Sequence, residues 1–158
     1  MHVGIGYDAH RLIEGRRLVL GGVEIPFENG LLGWSDADVV VHAIIDALLG
    51  AAALGDIGTC FPSDDPNCKD ISSLILLQRT EKLLGDQGWQ ITNIDVTIIA
   101  QKPKLTPFID KMREQISRII SIEESKIGIK AKTTDGLGFA GRGEGIAACA
   151  VALIEGIK

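Results

Sequence analysis

The chain has 158 residues, 46% of them hydrophobic and only 4% aromatic, with a formal net charge of −5. That length predicts a single domain over residues 1–158, built around an aliphatic core. The acidic balance, with no block of Lys or Arg, excludes the basic face that duplex nucleic acid or an anionic membrane selects. Cys60, Cys68 and Cys149 form no CxxC pair, so free thiols and a cytoplasmic, reducing setting are expected. The sequence opens directly on a strand pattern, which predicts no leader segment. Its longest apolar tract, VVVHAIIDALLGAAAL, is broken by His42 and Asp46 and is too short to span a bilayer.

Residues 2 to 8 read as a first strand. RRLVLGGVEIPF reads as two short runs about Gly21-Gly22, a hairpin. Ser35 stands ahead of DADVVVHAIIDALLGAAAL, with Asp38 three residues later. This capping-box-like start predicts a helix over about residues 36 to 53. FPSDDPNCKD is polar and proline-marked, hence a loop. ISSLILLQRTEKLLGDQGW repeats apolar residues at helical spacing and stops near Gly85 or Gly88. NIDVTIIA alternates Ile94, Val96, Ile98 and Ala100 as a half-buried strand does. Thr106 is a good N-cap residue, with Pro107 at the first helical position. IGIKAK is a strand, and GIAACAVALIEGI fits strand or helix, because alanine suits both. No internal repeat is visible.

Three stretches carry chemistry. In the first, GIGYDAHRL, Asp8 and His10 sit two apart, which on a strand puts both on one face. His42 lies early in the predicted helix, flanked at i−4 and i+4 by Asp38 and Asp46. That helix is otherwise apolar, so a buried polar stripe on it needs partners. One Asp and two His form a sound zinc set with a fourth position open, and Asp38 or Asp46 is then placed to orient an imidazole. The second stretch, KTTDGLGFAGRGEG, contains a literal GxGxxG, but too near the C-terminus for a dinucleotide-binding βαβ unit and without the GK[ST] of a P-loop. It reads either as a glycine-rich surface turn or as a phosphate cradle around Thr133 and Thr134, with Asp135 on a second cation. The third, AQKPKLTP, sets Lys102 and Lys104 before a helix N-terminus, a solvated basic loop or an anion-capturing one.

Together GYDAHR, SDADVVVHAIIDALLGAAALGDIG, AQKPKL and TTDGLGFAGRGEGIA resemble the 2-C-methyl-D-erythritol 2,4-cyclodiphosphate synthases of the non-mevalonate isoprenoid pathway, nearly end to end and in order. The resemblance implies an α+β fold, one mixed β-sheet with helices packed on one face and a small hairpin, ending on a strand. It implies a homotrimer of single-domain subunits with active sites between neighbours. It implies a lyase that converts 4-diphosphocytidyl-2-C-methyl-D-erythritol 2-phosphate to the cyclic diphosphate and CMP. Asp8, His10 and His42 match the family's zinc ligands, and Asp135 its Mg2+ or Mn2+ carboxylate, usually Glu. With Thr134 these residues form the implied catalytic set. Ala100, Lys104 and Leu105, with Thr106 beside them, match the cytidine loop, and Thr133 and Thr134 the phosphate contacts. Asp56, Ile57 and Gly58 lie in the segment that holds ribose and erythritol. Trp34, Ser35, Ser63, Asp65, Phe139 and Arg142 complete the substrate-contacting set. Arg142 and Glu144 also match residues lining a central trimer cavity, which in some members binds an isoprenoid diphosphate. The family commonly has His-Ser-Asp-Gly-Asp where this chain has WSDAD, and FPDTD where it has FPSDD, so Trp34 and Ser63 are departures. Two rival readings use the same residues: a zinc-dependent phosphoesterase, and a non-catalytic trimeric protein that binds isoprenoid diphosphates.

Overall fold

The computed structural model describes residues 1–158. Five strands form one mixed sheet in the order β4-β1-β7-β5-β6. They are β1 (His2–Glu14), β4 (Asn29–Leu31), β5 (Trp89–Ile99), β6 (Ile127–Lys132) and β7 (Gly145–Gly156). β1 and β5 each pair antiparallel to β7, and β6 pairs parallel to β5. β1, β5 and β6 therefore point the same way, and their carboxyl ends share one edge of the sheet. A separate hairpin of β2 (Leu18–Leu20) and β3 (Val23–Ile25) turns at Gly21-Gly22, both at positive φ, as the sequence predicts.

The helices form a single layer. α1 (Val39–Ala51) packs on β1 and β7, α3 (Ser73–Asp86) packs beside it, and α4 (Ile109–Ile120) lies over β6. Two short helices, α2 (Ile57–Cys60) and α5 (Gly138–Gly141), shape the loops. Ile94, Val96, Ile98 and Ala100 are buried, as their alternation predicts.

Local chemistry redraws two boundaries. α1 begins at Val39, because Asp38, not Ser35, is its N-cap: the Asp38 carboxylate accepts the N–H groups of Val40 and Val41. Thr106 caps nothing; residues 106 to 108 form a 3-10 turn that runs into α4. The alanine-rich C-terminal segment is the strand β7, in the centre of the sheet, where small side chains let α1 lie close.

β1 decides where the site lies. Its residues alternate, with Gly4, Gly6, Asp8 and His10 turned toward α1, and Val3, Ile5 and Tyr7 turned outward and exposed. A Cβ built at Gly4 would sit 2.0 Å from the Ala47 carbonyl oxygen, and one at Gly6 would sit 1.9 Å from that of Ala43. No side chain but hydrogen allows that approach. Helix and strand backbones thus meet over these glycines, and the next inward position, Asp8, faces His42.

Candidate metal centre and nucleotide pocket

Asp8 Oδ2 lies 3.0 Å from His10 Nε2 and 3.0 Å from His42 Nδ1. The three ligating atoms are all within 4.8 Å of one another. Each imidazole is held from behind. His10 Nδ1 is 2.6 Å from the Leu32 carbonyl, and His42 Nε2 is 2.8 Å from Ser73 Oγ and 3.1 Å from Ser35 Oγ. A backbone carbonyl only accepts, so His10 Nδ1 donates and its Nε2 lone pair is left for the cluster. Two imidazole nitrogens and one carboxylate oxygen, converging and oriented from outside, fit a divalent cation with room for a further ligand.

The electrostatics agree. Burial alone raises the Asp8 carboxyl, but the imidazoles of His10 and His42 beside it outweigh that and hold it well below the usual carboxylate range. His10 is pushed up, first by its hydrogen bond to Asp8 and against the effect of burial.

The cluster opens into a pocket of about 220 Å³ lined by Asp8, His10, Trp34, Ser35, His42, Ile57, Gly58, Phe61, Ser63, Cys68 and Leu76. Trp34 donates its indole N–H to the Asp65 carbonyl at 3.2 Å, tying that loop to the pocket rim. Asp56 caps α2, accepting from Thr59 N–H at 2.7 Å and Thr59 O–H at 2.8 Å, and these bonds hold its carboxyl below the usual range. A second pocket, about 300 Å³, is lined by Ala100, Gln101, Lys102, Pro103, Lys104, Leu105, Thr106, Ala131, Lys132 and Thr133. It lies past the ends of β5 and β6, whereas the first lies against Asp8 and His10 within β1.

A family model, the YgbB family, matches residues 1–155. The chain belongs to the YgbB family. The 2-C-methyl-D-erythritol 2,4-cyclodiphosphate synthase of Syntrophomonas wolfei is 61% identical over 155 residues, covering 98% of this chain and 99% of its own. The bifunctional IspDF of Campylobacter jejuni has a TM-score of 0.95 at 39% identity, with 99% of this chain matching 42% of that one. A 2C-methyl-D-erythritol-2,4-cyclodiphosphate synthase solved with CDP bound has a TM-score of 0.89 at 36% identity, covering 97% of this chain and 99% of that one.

In this YgbB chain the site residues fall into groups. Asp8, His10, Trp34, Ser35, His42, Ile57, Gly58 and Ser63 line the first pocket, Asp56 caps the helix that carries Ile57 and Gly58, and the Asp65 carbonyl is bonded to Trp34. Ala100, Lys104, Leu105, Thr106 and Thr133 line the second pocket. Thr134 and Asp135 stand on the exposed turn after β6, where the Thr133 hydroxyl is 3.2 Å from the Asp135 carboxylate. Asp135 belongs to no cluster of three metal-ligating side chains. Phe139 lines a third, smaller pocket with His10 and Glu144, and Arg142 pairs with Glu144 at 3.0 Å.

One expectation is overturned. Neither Asp38 nor Asp46 orients His42. Asp38 is consumed by four backbone donors, from Gly21 at 2.9 Å, Gly22 at 2.7 Å, and Val40 and Val41 at 3.1 Å each. Burial and the nearby Asp36 charge push Asp38 up to about 6, against the pull of those N–H groups. Asp46 accepts from Ile57 N–H at 2.7 Å and so fixes α2. Residues at i±4 share a helix face, but their short side chains reach the backbone at hand before they reach one another. The partner of His42 that the sequence does not announce is Ser73, 31 positions away. Its only trace is a serine at the start of an amphipathic helix.

Proposed function

We infer that this chain converts 4-diphosphocytidyl-2-C-methyl-D-erythritol 2-phosphate to 2-C-methyl-D-erythritol 2,4-cyclodiphosphate and CMP, a phosphorus–oxygen lyase of the non-mevalonate isoprenoid pathway. The observation that carries the reading is the convergence of Asp8, His10 and His42 at the mouth of a pocket. The synthase relatives match over nearly the whole chain.

Nucleophile and electrophile belong to one substrate. An oxygen of the 2-phosphate forms a new bond to the β-phosphorus of the diphosphate. The bond from that phosphorus to the oxygen bridging the α-phosphorus breaks, and CMP leaves with that oxygen and its charge. A phosphate oxygen is already ionised at neutral pH, so no general base is needed. Positioning and charge neutralisation are what remain for the protein to supply. A divalent cation bound by Asp8, His10 and His42 supplies Lewis-acid neutralisation of the diphosphate. Zn2+ would be held by Asp8, His10 and His42, and Mg2+ or Mn2+ would neutralise phosphate charge beside Asp135. Lys104 and the backbone N–H groups around Thr133 and Thr134 bind anionic oxygens from the other side. Ala100, Lys104 and Leu105, with Thr106 beside them, hold the cytidine, and Asp56, Ile57 and Gly58 of a neighbouring subunit hold the ribose and the erythritol. Ser35, buried beside His42, and the phenyl ring of Phe139 bound the space around the reacting phosphates.

The two pockets are separate within one chain, and the outward face of β1 and β7 is apolar. Val3 is 67% exposed, Ile5 70% and Tyr7 56%, with Val151 beside them. A patch of that kind calls for a partner. A closed homotrimer covers it and seats the nucleotide pocket of one subunit against the metal pocket of the next, with Arg142 and Glu144 facing the central cavity, where an isoprenoid diphosphate would meet the Arg142 guanidinium.

The test is CMP release from the substrate by metal-stripped and zinc-restored protein. Release abolished by stripping and regained with zinc supports the reading. Equal release by both forms contradicts it.

A further inference from the structure

We propose that Asp36 and Ser73 are positioning residues for the metal centre: the Asp36 carboxylate acts through the Ser73 hydroxyl to hold His42 in the tautomer that can bind a cation. This rests on the metal reading of Asp8, His10 and His42.

Ser73 Oγ sits between two groups. On one side is His42 Nε2 at 2.8 Å, and on the other the Asp36 carboxylate, with which it makes a hydrogen bond. Ser73 is fully buried, so no solvent competes for its single proton. The serine hydroxyl donates to the Asp36 carboxylate, so its proton points away from His42. The lone pairs of Oγ then face His42, and Nε2 must carry the hydrogen that meets them. A neutral imidazole has one N–H, so Nδ1, the atom that faces Asp8, keeps its lone pair free. The direction of one proton at Asp36 thus fixes which nitrogen of an imidazole two bonds away is a ligand. His10 reaches the same state more simply, through the Leu32 carbonyl. Ser35 Oγ is less suited to the task. It is farther from Nε2, at 3.1 Å, and already accepts the Ala37 N–H at 3.2 Å.

Asp36 is itself held rigidly. It accepts the backbone N–H of Ser73 at 3.0 Å and that of Asp38 at 3.2 Å. The first of these caps α3, whose N-cap residue Ser72 offers no side-chain hydrogen bond. A cap is therefore the competing role for Asp36, and the two roles separate by experiment. Asp36→Asn keeps an oxygen for the Ser73 N–H, but its amide N–H2 takes the place of the oxygen that accepts both the Ser73 hydroxyl and the Asp38 N–H. The serine hydroxyl then reverses and donates to His42 Nε2, which forces the imidazole hydrogen onto Nδ1, against the cation. Ser73→Ala keeps the Asp36 cap and cuts the relay.

The measurement is zinc affinity, by competition with a chromophoric chelator, for wild type, Ser73→Ala, Asp36→Asn and the double variant. Thermal unfolding of the metal-free forms is followed alongside. Both single variants should bind zinc about 10–100-fold more weakly, the usual cost of removing an outer partner of a metal-bound histidine. The double variant should bind no more weakly than the weaker single, because the two act in series. Affinities within twofold of wild type, whatever the melting temperatures, would overturn the proposal and leave capping as the role of Asp36. If wild type itself takes up no zinc, the metal reading falls, and this inference with it. If Asp36→Asn does not fold, Ser73→Ala alone decides.

Discussion

At Asp8 one carboxylate oxygen faces two imidazole nitrogens at 3.0 Å, and this sets opposite pH responses for the metal-free and metal-loaded protein. His10 has a raised pKa, so its contribution to metal-free stability is complete below its ordinary 6.5 and is lost as pH rises through the raised value. Asp8 has a depressed pKa, so its contribution is complete above its ordinary 3.8 and is lost as pH falls toward the depressed value. Zinc competes with the His10 proton, so its stabilisation should grow over the same range in which the metal-free protein weakens. Thermal unfolding with and without zinc from about pH 5 to about pH 8 checks this. A zinc-induced rise in melting temperature that shrinks with pH would contradict it. Lys104 offers a second residue-scale prediction. Lys104→Ala should raise KM about tenfold with melting temperature unchanged, since a charge-assisted hydrogen bond contributes about 1.5–3 kcal/mol. An unchanged KM would remove Lys104 from the substrate's path. Asp8, His10 and His42 stood out in the sequence because a spacing of two on a strand and a histidine on an apolar helix are local patterns. Ser73 and Asp36 were not, because no periodicity links a serine at the head of α3 to a histidine in α1.

Among the elements, the contact of β1 with α1 governs the site. Gly4 and Gly6 let the strand touch the carbonyls of Ala47 and Ala43, and this depth of contact sets His42 against Asp8. Gly6→Ala must push α1 outward, since its Cβ has no free space. We expect a loss of about 1–3 kcal/mol in stability, typical of overpacking, together with loss of bound metal. Metal content after dialysis and the unfolding midpoint measure the two effects. Full metal content in a stable Gly6→Ala protein would contradict the contact as described. The glycines of GIGYD are visible in the sequence, but their partner backbone is not. Long-range packing also turned an alanine-rich tail into the central strand, where helix and strand propensities were evenly matched. Conversely, the Gly21-Gly22 hairpin formed as its local chemistry dictates, because a primed turn is selected by the two glycines at its centre.

For the whole molecule, the helical layer covers one face of the sheet and leaves the other with an apolar half along β1 and β7 and a polar half where Asp95 pairs with Lys130 at 2.7 Å. We expect three copies to close over the apolar half. Ile5→Asp should yield a folded monomer by sedimentation, with metal still bound and synthase activity lost, because each subunit completes its neighbour's site. A monomeric wild type, or an active monomeric variant, would contradict the shared site. Assembly was beyond the reach of local sequence patterns, since an outward row of Val3, Ile5 and Tyr7 shows itself only once the inward face is known. The most direct measurement is phosphorus NMR of the assembled protein with 4-diphosphocytidyl-2-C-methyl-D-erythritol 2-phosphate, zinc and magnesium, beside a chelated control. The account predicts the paired resonances of a cyclic diphosphate together with CMP, in the metal-loaded sample alone. An open phosphate product, or an unchanged substrate spectrum with zinc bound, would contradict it.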